Sequence, residues 1–233
     1  MRKFIVLFVT LLAACDVPVA VEAPQTTTTP RMSPQEAARS FAQVVAAVEP
    51  VAEYECRRRT KDINCDFLIA VDRRRNAEPN AFQSEDEQGR PVITFTIGLI
   101  ATARNADELA FVMGHEAAHH IQGHLARQRR NAEAGAAVFA GLATLTGGSP
   151  GDVQNALELG AKVGARSYSK DFELEADDLG TVITYRAGFN PLIGAEFFTR
   201  IPDPGDRFLG THPPNAARVD VVRRAARRVA ASG

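Results

Sequence analysis

The segment "FVMGHEAAHHIQGH", Phe111 to His124, gathers four of the chain's five histidines around one glutamate. His115 and His119 stand four apart, so on a helix both imidazoles project from one face, one turn apart. Two neutral nitrogens then lie where a single Zn²⁺ ion can accept both. Glu116 is offset around the helix and can reach water at the ion without entering the coordination sphere. Two ligands and a general base within two turns are the mechanical content of the His-Glu-x-x-His motif. The competing reading is a histidine-rich amphipathic helix with polar contacts only. His120 and His124 form a second pair on a rotated face, with no glutamate in the matching position. They are expected as surface or supporting residues.

The flanks are helical. Asn105 or Asp107 can cap, and Asp107 and Glu108 suit the positive end of the helix dipole. Leu109, Val112, Met113 and Ile121 supply apolar contacts, and the pattern predicts a helix to about Gln128. A catalytic zinc needs a third protein ligand and an open position. "ELEADDLG", on a later helix, offers Glu173, Glu175, Asp177 and Asp178. Spacing alone does not choose between Glu173 and Glu175.

The 233 residues suffice for one full-sized domain, and 45% apolar with 24% charged residues is an ordinary globular balance. A formal net charge of -1 favours neither nucleic acid nor an acidic surface, and the absence of Trp argues against a stacking platform. No nucleic-acid partner is expected, and nothing in the sequence specifies an oligomeric state. Residues 1–14 read as a signal peptide: Arg2 and Lys3 precede an apolar run from Phe4 to Ala14 that is short for a membrane span. The close of that run, Leu12-Ala13-Ala14-Cys15, resembles the bacterial lipoprotein processing box, with Cys15 lipidated as the first mature residue. Residues 15–32, with "PQTTTTP", then form a flexible tether. This predicts a periplasm-facing lipoprotein on the inner or outer membrane, anchored to the bilayer without spanning it. Cys56 and Cys65, nine apart, are a reasonable disulfide in that oxidising compartment.

Along the domain, residues 33–233, Ser33 and Pro34 open a helix whose stripe is Phe41, Val44, Val45 and Val48. "DFLIAVD" (Asp66–Asp72) and "RPVITFTIGLI" (Arg90–Ile100) read as strands of a small antiparallel sheet of two to four strands. "NAEAGAAVFAGLATLTGGSPGDVQNALELGAKVGARSYS" reads as two helices joined at Gly147–Gly151, with a first apolar run too short to span a bilayer. Helices follow over "DFELEADDLGTVITYRAGF", "NPLIGAEFFTRI" and "NAARVDVVRRAARRVA", with "PDPGDRFLGTHPP" as loop. The fold class is α+β and mostly helical.

"HEAAHH" followed by "ELEADDLG" resembles the HtpX/BepA-like zinc metallopeptidases, relatives of the CAAX prenyl endopeptidases. "NADELAFVMGHE", "SYSKDFELEAD", "AGFNP" and "THPPNAARV" extend the likeness over about residues 35 to 225. Lys170 stands where that family commonly has arginine. The resemblance implies a zincin-like fold of the gluzincin type, with one zinc per chain held by His115, His119 and the Glu175 of Glu-Ala-Asp. It implies Asp177 as a buttress to a histidine ligand. His212 becomes a catalytic donor near the metal or an inhibitory extra ligand to it, and Arg218 a supporting residue. Asn80-Ala81-Phe82 and Val92–Ile100 correspond to the family's edge-strand region, which lines the cleft and binds substrate as an added strand. The implied activity is zinc-dependent endopeptidase cleavage of envelope proteins, misfolded or unassembled ones above all. The alternative is a zinc-stabilised, chaperone-like binder without catalysis. Glu116 argues against it, because a purely structural site needs no base.

Overall fold

The computed structural model describes residues 32–167, 169–200 and 213–232. The leader, Cys15, the tether up to residue 31 and His212 lie outside the described residues. Eight helices and a three-stranded sheet follow in the order α1 (Pro34–Arg59), β1 (Leu68–Asp72), β2 (Ala81–Glu85), β3 (Pro91–Thr96), α2 (Ile97–Thr102), α3 (Ala106–Ile121), α4 (His124–Leu145), α5 (Pro150–Arg166), α6 (Ser169–Arg186), α7 (Pro191–Gly194) and α8 (Asn215–Ala230). A 3-10 turn covers Ala195–Thr199.

Helix α1 begins as its sequence requires. The Glu36 N–H donates to Ser33 Oγ and the Ser33 N–H donates back to the Glu36 carboxylate, with Pro34 at the first helical position. Val44, Val48, Ala52 and Cys56 follow at a spacing of four and are buried. Cys56 is disulfide-bonded to Cys65, with Cα atoms 5.7 Å apart. That bond fixes the loop that supplies Asn64 and Phe67 to the zinc-motif helix.

The sheet is mixed, which corrects the antiparallel expectation. Its order is β1-β3-β2, with β1 parallel and β2 antiparallel to β3. After β1 the chain crosses to the far side, forms β2, and returns by a hairpin so that β3 fills the centre. Segment Val92–Ile100 is therefore neither an edge nor one strand. Thr96 ends β3 and caps α2, accepting the Leu99 N–H at 3.2 Å. The edge strand on the cleft side is β2. Ile93 and Phe95 of β3 point into the core, where Phe95 meets Phe41 of α1 edge to face at 5.0 Å between ring centroids.

Helix α3 lies between α1 and α6 and contributes Leu109, Ala110, Met113 and Ala117 to the core. Asn105 caps it, accepting the Glu108 N–H at 2.9 Å. The buried Glu108 carboxylate accepts from both terminal guanidinium nitrogens of Arg200, at 2.5 and 2.6 Å. Helix α3 stops at Ile121, short of the predicted Gln128. Gly123 adopts φ 65° there, a left-handed turn that a side chain disfavours, and His124 opens α4 in a new direction. Helices α4 and α5 form a hairpin through Gly147 and the Ser149 cap. The predicted helix over "NPLIGAEFFTRI" is a single turn, α7, running on into the 3-10 segment. Among the described residues, no helix is long and apolar enough to cross a membrane.

Candidate metal centre

His115 and His119 lie on one face of α3, as their spacing requires. Their Nε2 atoms are 3.0 Å apart. The third group beside them is Glu173 of α6, whose carboxylate oxygens lie 3.6 Å from His115 Nε2 and 3.4 Å from His119 Nε2. These are the one set of three metal-ligating side chains found among the described residues. A tetrahedral ion with bonds of about 2.0–2.1 Å needs ligand atoms about 3.3–3.4 Å apart. The three separations bracket that value, so the residues present fit zinc.

Glu175, expected as the third ligand, is not in the cluster. Residues four apart on a helix share a face, whereas residues two apart point in nearly opposite directions. Glu173 and Asp177 therefore face α3 together, and Glu175 turns toward α4. There it binds Arg127 through both carboxylate oxygens, at 2.5 and 3.1 Å, and His124 Nε2 at 3.1 Å. Arg127 holds the Glu175 carboxyl below its ordinary range; burial opposes and His124 adds to the effect. The Asp177 expectation carried the missing signal. A buttress for a histidine ligand must share the third ligand's face, and the glutamate on that face is Glu173.

Asp177 is fully buried and its Oδ1 lies 2.9 Å from His115 Nδ1. Arg218 of α8, itself buried, donates to both Asp177 oxygens at 2.7 Å and stands 3.5 Å from the Glu173 carboxylate. Its guanidinium lies over the Phe198 ring, 3.8 Å from the centroid. An ionised Asp177 requires the proton of His115 on Nδ1, so the Nε2 lone pair points at the ligand cluster.

The approach of α3 to α6 is set beside this contact. A Cβ at Gly180 would lie 2.9 Å from the backbone of His115, and one at Gly114 would lie 2.8 Å from the Gly180 carbonyl. Only glycine allows the two backbones to meet this closely.

Glu116 lines a cavity of about 530 Å³ together with His115, His119 and Glu173. Burial pushes its carboxyl above the ordinary carboxylate value, against the pull of the two imidazoles and the Gln83 backbone N–H. A raised carboxyl is the direction a general base needs to work near neutral pH. Burial acts to lower the His119 imidazole, but Glu173, Glu116 and Asp177 hold it above its ordinary value. Residues Pro79 to Gln83, leading into and along β2, form one wall, and Leu99, Val112 and Phe197 add apolar surface.

His120 and His124 are buried, not at the surface, and both support α3. His120 Nε2 lies 2.7 Å from the Asn64 carbonyl, and its ring meets Phe67 edge to face. His124 stacks on Phe172, and its Nδ1 is 2.7 Å from His119 Nδ1.

A family model described as Peptidase family M48 matches residues 40–226. The chain is 33% identical over 160 residues to a protein described as a beta-barrel assembly-enhancing protease in Vibrio cholerae, a match covering 66% of this chain and 32% of that protein. Over 144 residues it is 33% identical to the beta-barrel assembly-enhancing protease of Escherichia coli K12, covering 52% of this chain and 28% of the relative. The Yersinia pestis protein of that name is 32% identical over 138 residues, covering 54% and 28%. The chain thus matches about a third or less of the length of these relatives.

Proposed function

Since the chain belongs to peptidase family M48, we propose that it is a zinc-dependent endopeptidase acting on proteins of the cell envelope. The observation that carries this reading is the opposition of His115 Nε2, His119 Nε2 and the Glu173 carboxylate around one point, with Glu116 on the same cavity wall. An ion held there supplies Lewis acidity to a peptide carbonyl and to water. Glu116 takes a proton from the attacking water and returns it to the leaving nitrogen. Asp177 and Arg218 keep His115 oriented while charge moves. His212 of "THPP" is the candidate donor to the oxyanion.

The substrate is read as an extended strand. One side of β2 is paired with β3, and Ala81, Phe82 and Gln83 line the cavity beside Glu116. A peptide added along β2 would present its backbone to the ligand cluster. Recognition by backbone gives broad specificity for unfolded segments. The leader and Cys15 support delivery to the periplasmic side as a lipid-anchored protein.

The test is cleavage of casein by the purified mature protein. Wild type should cleave. Glu116→Gln should lose about 10²–10⁴-fold in rate, the usual worth of a general base, and chelator should abolish the activity. Cleavage by Glu116→Gln at the wild-type rate would overturn the mechanism.

A further inference from the structure

We propose that His124, seated by Glu175 and Arg127, is the positioning residue that holds His119 in its metal-binding tautomer and orientation. This inference rests on the metallopeptidase reading above. It assigns a task to the glutamate that is not a ligand and to a histidine outside the motif.

The contacts run in one direction. Arg127 grips Glu175 through both carboxylate oxygens, so that carboxylate accepts and cannot donate. His124 Nε2, 3.1 Å from Glu175 Oε2, must then carry its proton. A neutral His124 has a bare Nδ1, and that atom lies 2.7 Å from His119 Nδ1. His119 must supply the proton of that bond from Nδ1, which leaves its Nε2 lone pair directed at His115 and Glu173. The chain Arg127–Glu175–His124 does for His119 what Arg218–Asp177 does for His115. Packing fixes the ring that transmits it. His124 stacks on Phe172 with centroids 4.7 Å apart and planes 11° from parallel, and Arg127 covers the same ring at 4.3 Å. The left-handed turn at Gly123 returns the chain so that His124 meets His119 across the break between α3 and α4.

Zinc affinity, measured by competition with a chromophoric chelator, tests the relay. His124→Ala and Glu175→Ala should each bind zinc about 10–100-fold more weakly, the scale for losing a group that orients a histidine ligand. His124→Asn, whose side-chain oxygen can accept the His119 Nδ1 proton, should return to within a few-fold of wild type. Long-range ¹⁵N–¹H NMR of zinc-free wild type, at a pH high enough that both imidazoles are neutral, should find His119 protonated on Nδ1 and His124 on Nε2. A purely structural role for His124 would move neither the tautomer nor the asparagine rescue. Unchanged zinc affinity in folded His124→Ala, or His119 protonated on Nε2, would overturn the proposal. Should His124→Ala fail to fold, Glu175→Ala at the more exposed carboxylate carries the same test. Wild type that binds one zinc yet cleaves nothing would count against the peptidase reading and leave the relay standing.

Discussion

Glycines face each other at two helix seams. Gly114 and Gly180 join α3 to α6 beside His115, and Gly135 faces Gly160 where α4 crosses α5. At both seams a Cβ would collide with backbone, more severely in the α4–α5 hairpin. The surroundings differ. The α3–α6 seam is roofed by α1 and α8 and brings His115, Asp177 and Glu173 together. The hairpin stands apart from the core: His124 is the one buried residue of α4, and Gly160 and Gly164 are the buried residues of α5. Its outer face carries Val138, Leu142 and Leu145 at helical spacing, and Leu145 is 86% exposed. The same packing device serves chemistry only where a second layer holds the polar groups it draws together.

The comparison breaks first at Gly180. Gly180→Ala should cost about 1–3 kcal/mol from overpacking, read by denaturant unfolding. By displacing His115 it should also weaken zinc roughly tenfold or more, as disturbed ligand support does. Gly135→Ala, by contrast, should loosen the hairpin, raising amide exchange in α4 and α5. Gly135 lies about 16 Å along α4 from His124, at 1.5 Å per residue. Zinc affinity should therefore stay within about twofold, as for independent sites.

Acid sharpens the contrast next. The His124 imidazole is pushed down to about 4, chiefly by burial, with the Glu175 bond opposing. Its folded value lies below the unfolded 6.5, so the unfolded chain takes the proton first. The stability this gives is complete above about pH 6.5 and is lost as pH falls through about 4. Zinc-free wild type should lose stability over that window, and His124→Asn should lose less. The smallest effect is expected on the hairpin's outer face. Leu142→Ser and Leu145→Ser should change stability by no more than about 0.5 kcal/mol, because those side chains are already in water.

Local geometry made much of this legible in the sequence. The spacing of His115 and His119 sets their common face, with Glu116 offset beside it. The caps at Ser33 and Asn105 follow from backbone chemistry that each residue carries with it. The linear Glu-Ala-Asp motif points to Glu175, whereas the turn of α6 sets Glu173 on the face of Asp177, beside the two histidines. The order β1-β3-β2 was not legible, because pairing is non-local and the return of the chain to the sheet centre leaves no periodicity behind. The role of His124 depends on one left-handed glycine that redirects the chain within two residues, which helical spacing counts cannot register.

The most direct measurement is a crystal structure of the zinc-loaded mature protein with anomalous data at the zinc edge. The account predicts one peak, about 2.0–2.1 Å from Nε2 of both His115 and His119 and about 2.0–2.2 Å from a Glu173 oxygen. A peak bound by Glu175 or His124 in place of Glu173, or no peak at this cluster, would contradict it.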